Sequence, residues 1–245
     1  MSGDTLVIIP AFNEQDALPS TIAALRAAQP DLAVVIVDDG STDATSAVAR
    51  SLGIDVVRLP FNLGIGAALQ TGFRFAVAHG FTRAVQFDAD GQHDPASIPA
   101  LLAGLDAGAD LVIGSRFADG GDTYEVGRMR SGAMGLLRLA VKPLSGQRFT
   151  DTSSGFRGFS HAMLVEFAER YPDEYLESVE ALLLASTSGF AVTEVPVTMH
   201  ERTAGLPSTR RLRLAYHYVR LLLVIAVTAP RRHHVPAPVP EAVAP

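Results

Sequence analysis

Two aspartates flank a single residue in Asp88-Ala89-Asp90, directly after the apolar run Ala84–Phe87. Carboxylates this close at the end of a buried strand repel each other unless a cation or a hydrogen-bond donor lies between them. A hard divalent ion with oxygen ligands meets that need, and Mg²⁺ would keep coordination positions for water and diphosphate oxygens. Gln92 adds a neutral oxygen ligand. His93 adds a nitrogen, although a structural role suits it better. The plain alternative is an Asp-rich turn that caps the next helix.

Three further polar clusters follow short apolar runs: Pro10-Ala11-Phe12-Asn13-Glu14, Asp38-Asp39-Gly40-Ser41-Thr42-Asp43 and Gly114-Ser115-Arg116. In the second, one carboxylate can meet a nucleotide base or ribose, while Asp43 fits a helix cap. The segment Asn62-Leu63-Gly64-Ile65-Gly66 has two glycines of a dinucleotide fingerprint, but Leu69 stands where the third belongs. It reads as a tight turn into a helix. The chain has no cysteine and no G-x-S-x-G, so nucleophilic catalysis finds no support.

The elements that must carry these clusters alternate regularly. Strands are predicted at Thr5–Ile9, Ala33–Val37, Asp55–Leu59, Ala84–Phe87 and Asp110–Ile113, and helices at Glu14–Ala28, Asp43–Leu52, Gly66–Ala78 and Ala96–Leu105. Apolar strands alternating with helices give βαβ units and a buried parallel sheet. Ligands bind such a sheet beyond the carboxyl ends of its strands, and all four clusters fall there. Further on, helices are predicted at Ser131–Val141, His161–Arg170 and Glu177–Ser186. Phe149–Phe159 reads as irregular chain entering a strand, and Ala191–Met199 as a last strand.

Length and composition set the bounds. The 245 residues, 48% apolar and 19% charged, suit one globular domain with a short appendage. The net charge of −6 argues against a nucleic-acid binder. The charge is uneven: residues 1–199 carry a net −11 and residues 200–245 a net +5. The longest apolar run, Leu221–Ala229, is too short to span a bilayer, and Leu6–Ile9 is too short for a signal-peptide core. A cytoplasmic protein is therefore expected.

Taken together, the motifs resemble the family 2 glycosyltransferases. The resemblance rests on Ile8–Glu14, Val37–Asp43, Asn62-Leu63-Gly64 and Phe87–His93, in that order and spacing. Thr152–Arg157, Glu194-Val195-Pro196-Val197 and Glu201-Arg202 bring the chain nearer to the dolichyl-phosphate mannose synthase-like branch, whose members glycosylate polyprenyl phosphates. The resemblance implies an α/β GT-A fold: a Rossmann-like, mostly parallel central sheet flanked by helices, in a single domain. It implies that Pro10, Phe12, Glu14, Asp39 and the Asp88-Ala89-Asp90 motif bind the donor nucleotide. Asp90 and Gln92 would hold Mg²⁺ or Mn²⁺, and Asp88, Asp90 and Arg116 would be catalytic. Arg116, Arg130 and Arg202 would face the acceptor phosphate. Ile65 departs from the pattern, because many relatives carry lysine there.

A metal ion at the donor diphosphate would neutralise the leaving group, and attack from the opposite face would invert the anomeric carbon. A lipid phosphate is already an anion, so it needs positioning more than a base, and arginine suits it through bidentate contact. A hydroxyl acceptor would need a carboxylate base. Asp151 and the acidic group Asp173–Glu177 are the candidates, although that group reads as a solvated helix start. A non-catalytic nucleotide-sugar binding protein is a third reading.

Residues 209–229 put Arg210, Arg213, His217 and Arg220 on one helical face and Leu212, Tyr216, Val219 and Leu223 on another. Such a helix suits a membrane surface; packing on the core and a homo-oligomer interface are the alternatives. The expected organisation is a catalytic domain over 1–208, this helix over 209–229, and a proline-rich disordered tail over 230–245. The expected protein takes a GDP- or UDP-linked sugar and a polyprenyl-phosphate acceptor. It sits peripherally on the inner face of the cell membrane.

Overall fold

Runs such as Leu6-Val7-Ile8-Ile9 and Val35-Ile36-Val37 have no polar face, so a strand built from them must be covered on both sides. The computed structural model describes residues 4–118, 149–172 and 177–200 and covers these strands in that way. Its strands are β1 (Thr5–Ala11), β2 (Ala33–Asp38), β3 (Asp55–Arg58), β4 (Arg83–Gln86), β5 (Leu111–Ser115), β6 (Arg157–Phe159) and β7 (Val192–Pro196). They form one sheet in the order β3-β2-β1-β4-β6-β5-β7. Every neighbouring pair is parallel except those of β6, which runs antiparallel between β4 and β5.

The helices are α1 (Leu18–Ala28), α2 (Thr45–Ser51), α3 (Ile65–Ala78), α4 (Ile98–Asp106), α5 (His161–Glu169) and α6 (Glu177–Thr187). Side chains alternate along each strand, and this splits the core into two layers. Leu6, Ile8, Val35, Val37, Ala84, Leu111, Ile113 and Phe159 pack with α3, α5 and α6. Val7, Ile9, Ile36, Val85 and Val112 pack with α1, α2 and α4. In the first layer Phe73 meets the rings of Phe159, Phe167 and Tyr171 at 4.9, 5.6 and 5.1 Å.

The expected mostly parallel sheet is therefore present, with shifted boundaries that have local causes. The first helix starts at Leu18 rather than Glu14. Asn13 sits at φ 57°, and the N–H groups of Glu14 and Gln15 donate to Thr45 Oγ1 and Asp43 Oδ2, so this stretch is held in a turn. The second starts at Thr45 because Asp43 Oδ1 accepts from the Thr45 N–H and so caps from outside. Before α4, Asp94 caps a short 3₁₀ turn over Pro95–Ser97, and the α-helix follows from Ile98. Strand β5 extends to Ser115 because Gly114 and Ser115 pair with Val195 and Pro196. The helix predicted at Ser131–Val141 lies outside the described residues, as do residues 201–245 with the 209–229 helix and the tail.

Gly40 fixes the rim beside β2. Its φ of +69° is left-handed, and a Cβ there would lie 2.4 Å from the backbone carbon of Phe61. Backbone cannot yield as a flexible side chain can. We expect Gly40→Ala to cost about 2 kcal/mol or more in urea unfolding. A cost below roughly 0.5 kcal/mol would contradict this close approach.

Candidate active site

The carboxyl ends of β1, β2, β4 and β5 meet on one edge of the sheet, and the predicted clusters converge there. The β1 and β2 loops are stitched together reciprocally. The Asn13 N–H donates to Ser41 Oγ, and Asn13 Oδ1 accepts from the Thr42 N–H at 2.8 Å. The Gln15 N–H donates to Asp43, and Gln15 Oε1 accepts from the Ala44 N–H. Pro10 and Glu14 are half-buried within this clasp, while Phe12 is 43% exposed.

The two adjacent aspartates divide their work. Asp38 is fully buried; it accepts from the Ser41 N–H, from the Ser46 hydroxyl and, at 3.8 Å, faces Arg58. Burial acts to raise its pKa, but these partners outweigh burial and hold it below the usual value. Asp39 points to the next loop, accepting from the N–H groups of Leu63 and Gly64 at 2.7 and 2.9 Å. Burial raises its pKa against those two bonds. Asp38 is thus structural, and Asp39 ties the α3 entry loop to the rim.

Beyond β4, Asp90 Oδ1 accepts from the Gln92 N–H at 3.0 Å, which turns the chain sharply. The Ala89 side chain is buried in the core, and its carbonyl accepts from Thr21 Oγ1 on α1. His93 brackets Asp88: its Nδ1 accepts from the Asp88 N–H at 3.1 Å, and its Nε2 lies 3.5 Å from Asp88 Oδ2. An accepting Nδ1 places the proton on Nε2. The ring stacks on Phe156 with centroids 4.5 Å apart. Burial presses its pKa below the ordinary value, against the pull of Asp88 and Asp90. His93 therefore shapes the aspartate pair as a neutral residue.

The residues present fit a divalent cation. Asp88 Oδ1 is buried without a hydrogen-bond partner, an arrangement that is costly for a carboxylate unless a cation balances it. Asp88, Asp90 and Gln92 offer oxygen only, the donor type that Mg²⁺ and Mn²⁺ prefer. Among the described residues no three His, Cys, Asp or Glu side chains converge into a cage. Gly155 closes the back of the site: a Cβ there would lie 3.0 Å from Gln86 Nε2 and 3.2 Å from Asp88 Oδ2.

Arg116 occupies the β5 side of the rim. Its Nε and Nη2 donate to Asp151 Oδ2 and Oδ1 at 2.7 and 3.0 Å, a bidentate pair. Asp151 is fully buried. Its carboxylate therefore holds Arg116 in place, an engagement that counts against the base a hydroxyl acceptor would need. Arg130 and Arg202, the other arginines expected to face an acceptor phosphate, lie outside the described residues. The described chain ends at His200, whose N–H donates to the Gln92 carbonyl at 2.7 Å.

Of the acidic group Asp173–Glu177, expected as a solvated helix start, Asp173 and Glu174 lie outside the described residues, and Glu177 departs from the expectation, since it is only 6% exposed. Burial pushes its pKa up to about 7, with Asp88 adding to the rise and Ser178 and Arg157 opposing it. The folded form then holds the proton more tightly than the unfolded chain, so stability from this group is present below about pH 4.5 and lost as pH rises through about 7. We expect urea unfolding to show the wild type losing stability from pH 5 to 8, and Glu177→Gln losing less. Equal losses would contradict the raised pKa.

The chain and its fold have counterparts among known proteins. The sequence profile described as Glycosyl transferase family 2 matches residues 6–169. A polyprenol monophosphomannose synthase of Mycolicibacterium smegmatis is 34% identical over 210 residues, spanning 82% of this chain and 79% of that protein. An undecaprenyl-phosphate mannosyltransferase of Micrococcus luteus is 32% identical over 207 residues, spanning 82% and 85%. A crystal structure of glucosyl-3-phosphoglycerate synthase from Mycobacterium tuberculosis, in complex with Mn²⁺, UDP and phosphoglyceric acid, superposes with a TM-score of 0.69. Its identity is 22%, and the match covers 92% of this chain and 78% of that one.

Proposed function

The chain belongs to glycosyl transferase family 2, and from that premise we propose that it transfers a hexose, with inversion, from a nucleotide sugar to polyprenyl phosphate. The observation that carries the reading is the Arg116–Asp151 pair. A buried carboxylate holds a guanidinium on the same rim as the aspartate pair. Arginine oriented in this way is built for a phosphate oxyanion. The relatives named for polyprenol and undecaprenyl phosphate support the same class of acceptor.

The residues divide as follows. Pro10, Phe12, Glu14, Asp39 and the backbone at Ala89 line the nucleotide of a GDP- or UDP-linked donor. Asp90 and Gln92 hold Mg²⁺ or Mn²⁺, with Asp88 beside them. When bound, that ion neutralises negative charge on the departing diphosphate. Arg116, with Arg130 and Arg202, binds the acceptor phosphate and aims an oxygen at the anomeric carbon. No proton has to be removed, because the acceptor is an anion. A hydroxyl acceptor would require a base; of the carboxylates suggested for that task, Asp151 is engaged by Arg116 and Glu177 is buried in the core, while Asp173 and Glu174 lie outside the described residues.

Such an acceptor lies in a bilayer, and the cationic face of residues 209–229 would bring the enzyme to the inner membrane surface. No helix among the described residues is long and apolar enough to cross a membrane. The test is a panel of radiolabelled GDP- and UDP-sugars with polyprenyl phosphate, each with Mg²⁺, with Mn²⁺ and with chelator. One donor should give organic-soluble product that chelation abolishes. A protein active with none of them, or equally active in chelator, would overturn the reading.

A further inference from the structure

Among the described residues, Arg116 is held through its guanidinium and through its backbone neighbours, and both of these holds lead back to a single side chain on β7. Glu194 stands in register with Ile113 of β5. Its Oε1 accepts from the N–H groups of Thr150 and Asp151 at 2.9 and 2.8 Å. Its Oε2 accepts from the Thr150 N–H at 2.7 Å and the Thr150 hydroxyl at 3.0 Å. Glu194 thus fixes the backbone of Asp151, the residue whose carboxylate grips Arg116.

The second hold has a definite direction. An ionised carboxylate only accepts, so the one proton of the Thr150 hydroxyl goes to Glu194. The 2.6 Å contact between Thr150 Oγ1 and Ser115 Oγ must then be donated by Ser115. That leaves a lone pair on Ser115 Oγ for the Phe117 N–H, at 3.1 Å. Ser115 and Phe117 flank Arg116. One chain of donors, from Phe117 through Ser115 and Thr150 to Glu194, therefore sets the backbone on either side of Arg116, while Asp151 sets its head group.

We propose that Glu194 is a positioning residue for the acceptor phosphate, acting through Thr150, Ser115 and Asp151 on Arg116. This rests on reading Arg116 as the acceptor-phosphate cation. The donor rim draws on other partners, namely Ser41, Thr42, Leu63, Gly64 and Gln92. Breaking the relay should therefore act on the acceptor alone.

The test compares Thr150→Val, which removes the hydroxyl at nearly constant shape, with Thr150→Ser, which keeps it, and with Glu194→Leu. Steady-state transfer to polyprenyl phosphate gives KM for each substrate, and calorimetry with the matching nucleoside diphosphate gives donor-side affinity. We expect Thr150→Val to raise the acceptor KM roughly 10- to 100-fold, the scale of a misplaced binding group. Donor KM and nucleotide affinity should stay within about twofold. Thr150→Ser should restore most of the loss. Glu194→Leu should show the same split wherever it folds, and Thr150→Val decides the matter if it does not. An unchanged acceptor KM in Thr150→Val, an equal rise for both substrates, or no rescue by serine would overturn the proposal. A wild-type enzyme that uses no polyprenyl phosphate would overturn the acceptor reading and this inference with it, and would do so before any substitution is made.

Discussion

Asp90→Asn should lower kcat/KM by at least about 10³-fold while the protein stays folded. Divalent-ion stabilisation of a departing diphosphate is worth several kcal/mol, and about 4 kcal/mol corresponds to that factor. Asparagine is a clean probe here. The Asp90 oxygen that accepts from the Gln92 N–H can be replaced by the amide oxygen, so the turn survives while the charge is lost. Circular dichroism and the urea midpoint should match the wild type. Nucleoside diphosphate binding, which metal should strengthen in the wild type, should become nearly indifferent to Mg²⁺. A variant that keeps activity within about tenfold would show that no cation held by Asp90 stabilises the departing diphosphate.

Arg157→Met should cost about 3–5 kcal/mol of stability, the range for removing one partner of a buried charged set. Arg157 has no exposed surface. Its Nε donates to the Ser154 carbonyl at 2.8 Å and its Nη2 to the Thr152 carbonyl at 3.4 Å. Burial presses its pKa down, while Tyr171, Glu177 and Asp151 favour its charge. Without it, Glu177 is a buried carboxylate that has lost the described cation favouring its charge. The loss should be larger at pH 8 than at pH 5.5, where Glu177 can take up a proton. The double variant Arg157→Met/Glu177→Gln should recover part of the loss. Urea unfolding of the four forms at both pH values measures this, and simple additivity would mean that the two groups do not interact.

The contrast between these two residues shows what a sequence makes visible. The place of Asp90 in a turn beyond a buried strand was legible because its setting is local: an apolar run, a DxD and a polar turn lie within ten residues. The alternation of strands and helices over the first 115 residues was legible for the same reason. Arg157 stood within the Thr152–Arg157 motif, but nothing nearby told that it would be buried. That depends on β6 inserting antiparallel between β4 and β5, which sets Arg157 opposite Gln86 and Ile113. Glu194 and Thr150 are 44 residues apart, so their contact had no local signature. Glu177 was misread because an acidic first turn looks alike whether the helix start is solvated or buried. The apolar run Ala181–Ala185 behind it was the available sign that the helix packs inward.

The central claim is that the acceptor is a phosphate anion held by arginine, so that the site works without a base. The most direct measurement offers the full-length protein the same labelled donor with polyprenyl phosphate or with the corresponding free polyprenol, at equal concentration in the same vesicles. Label should enter the lipid phase with the phosphate and not with the alcohol, and Arg116→Ala should abolish it. Transfer to the alcohol, or to a water-soluble hydroxyl acceptor in preference to the phosphate, would contradict the account.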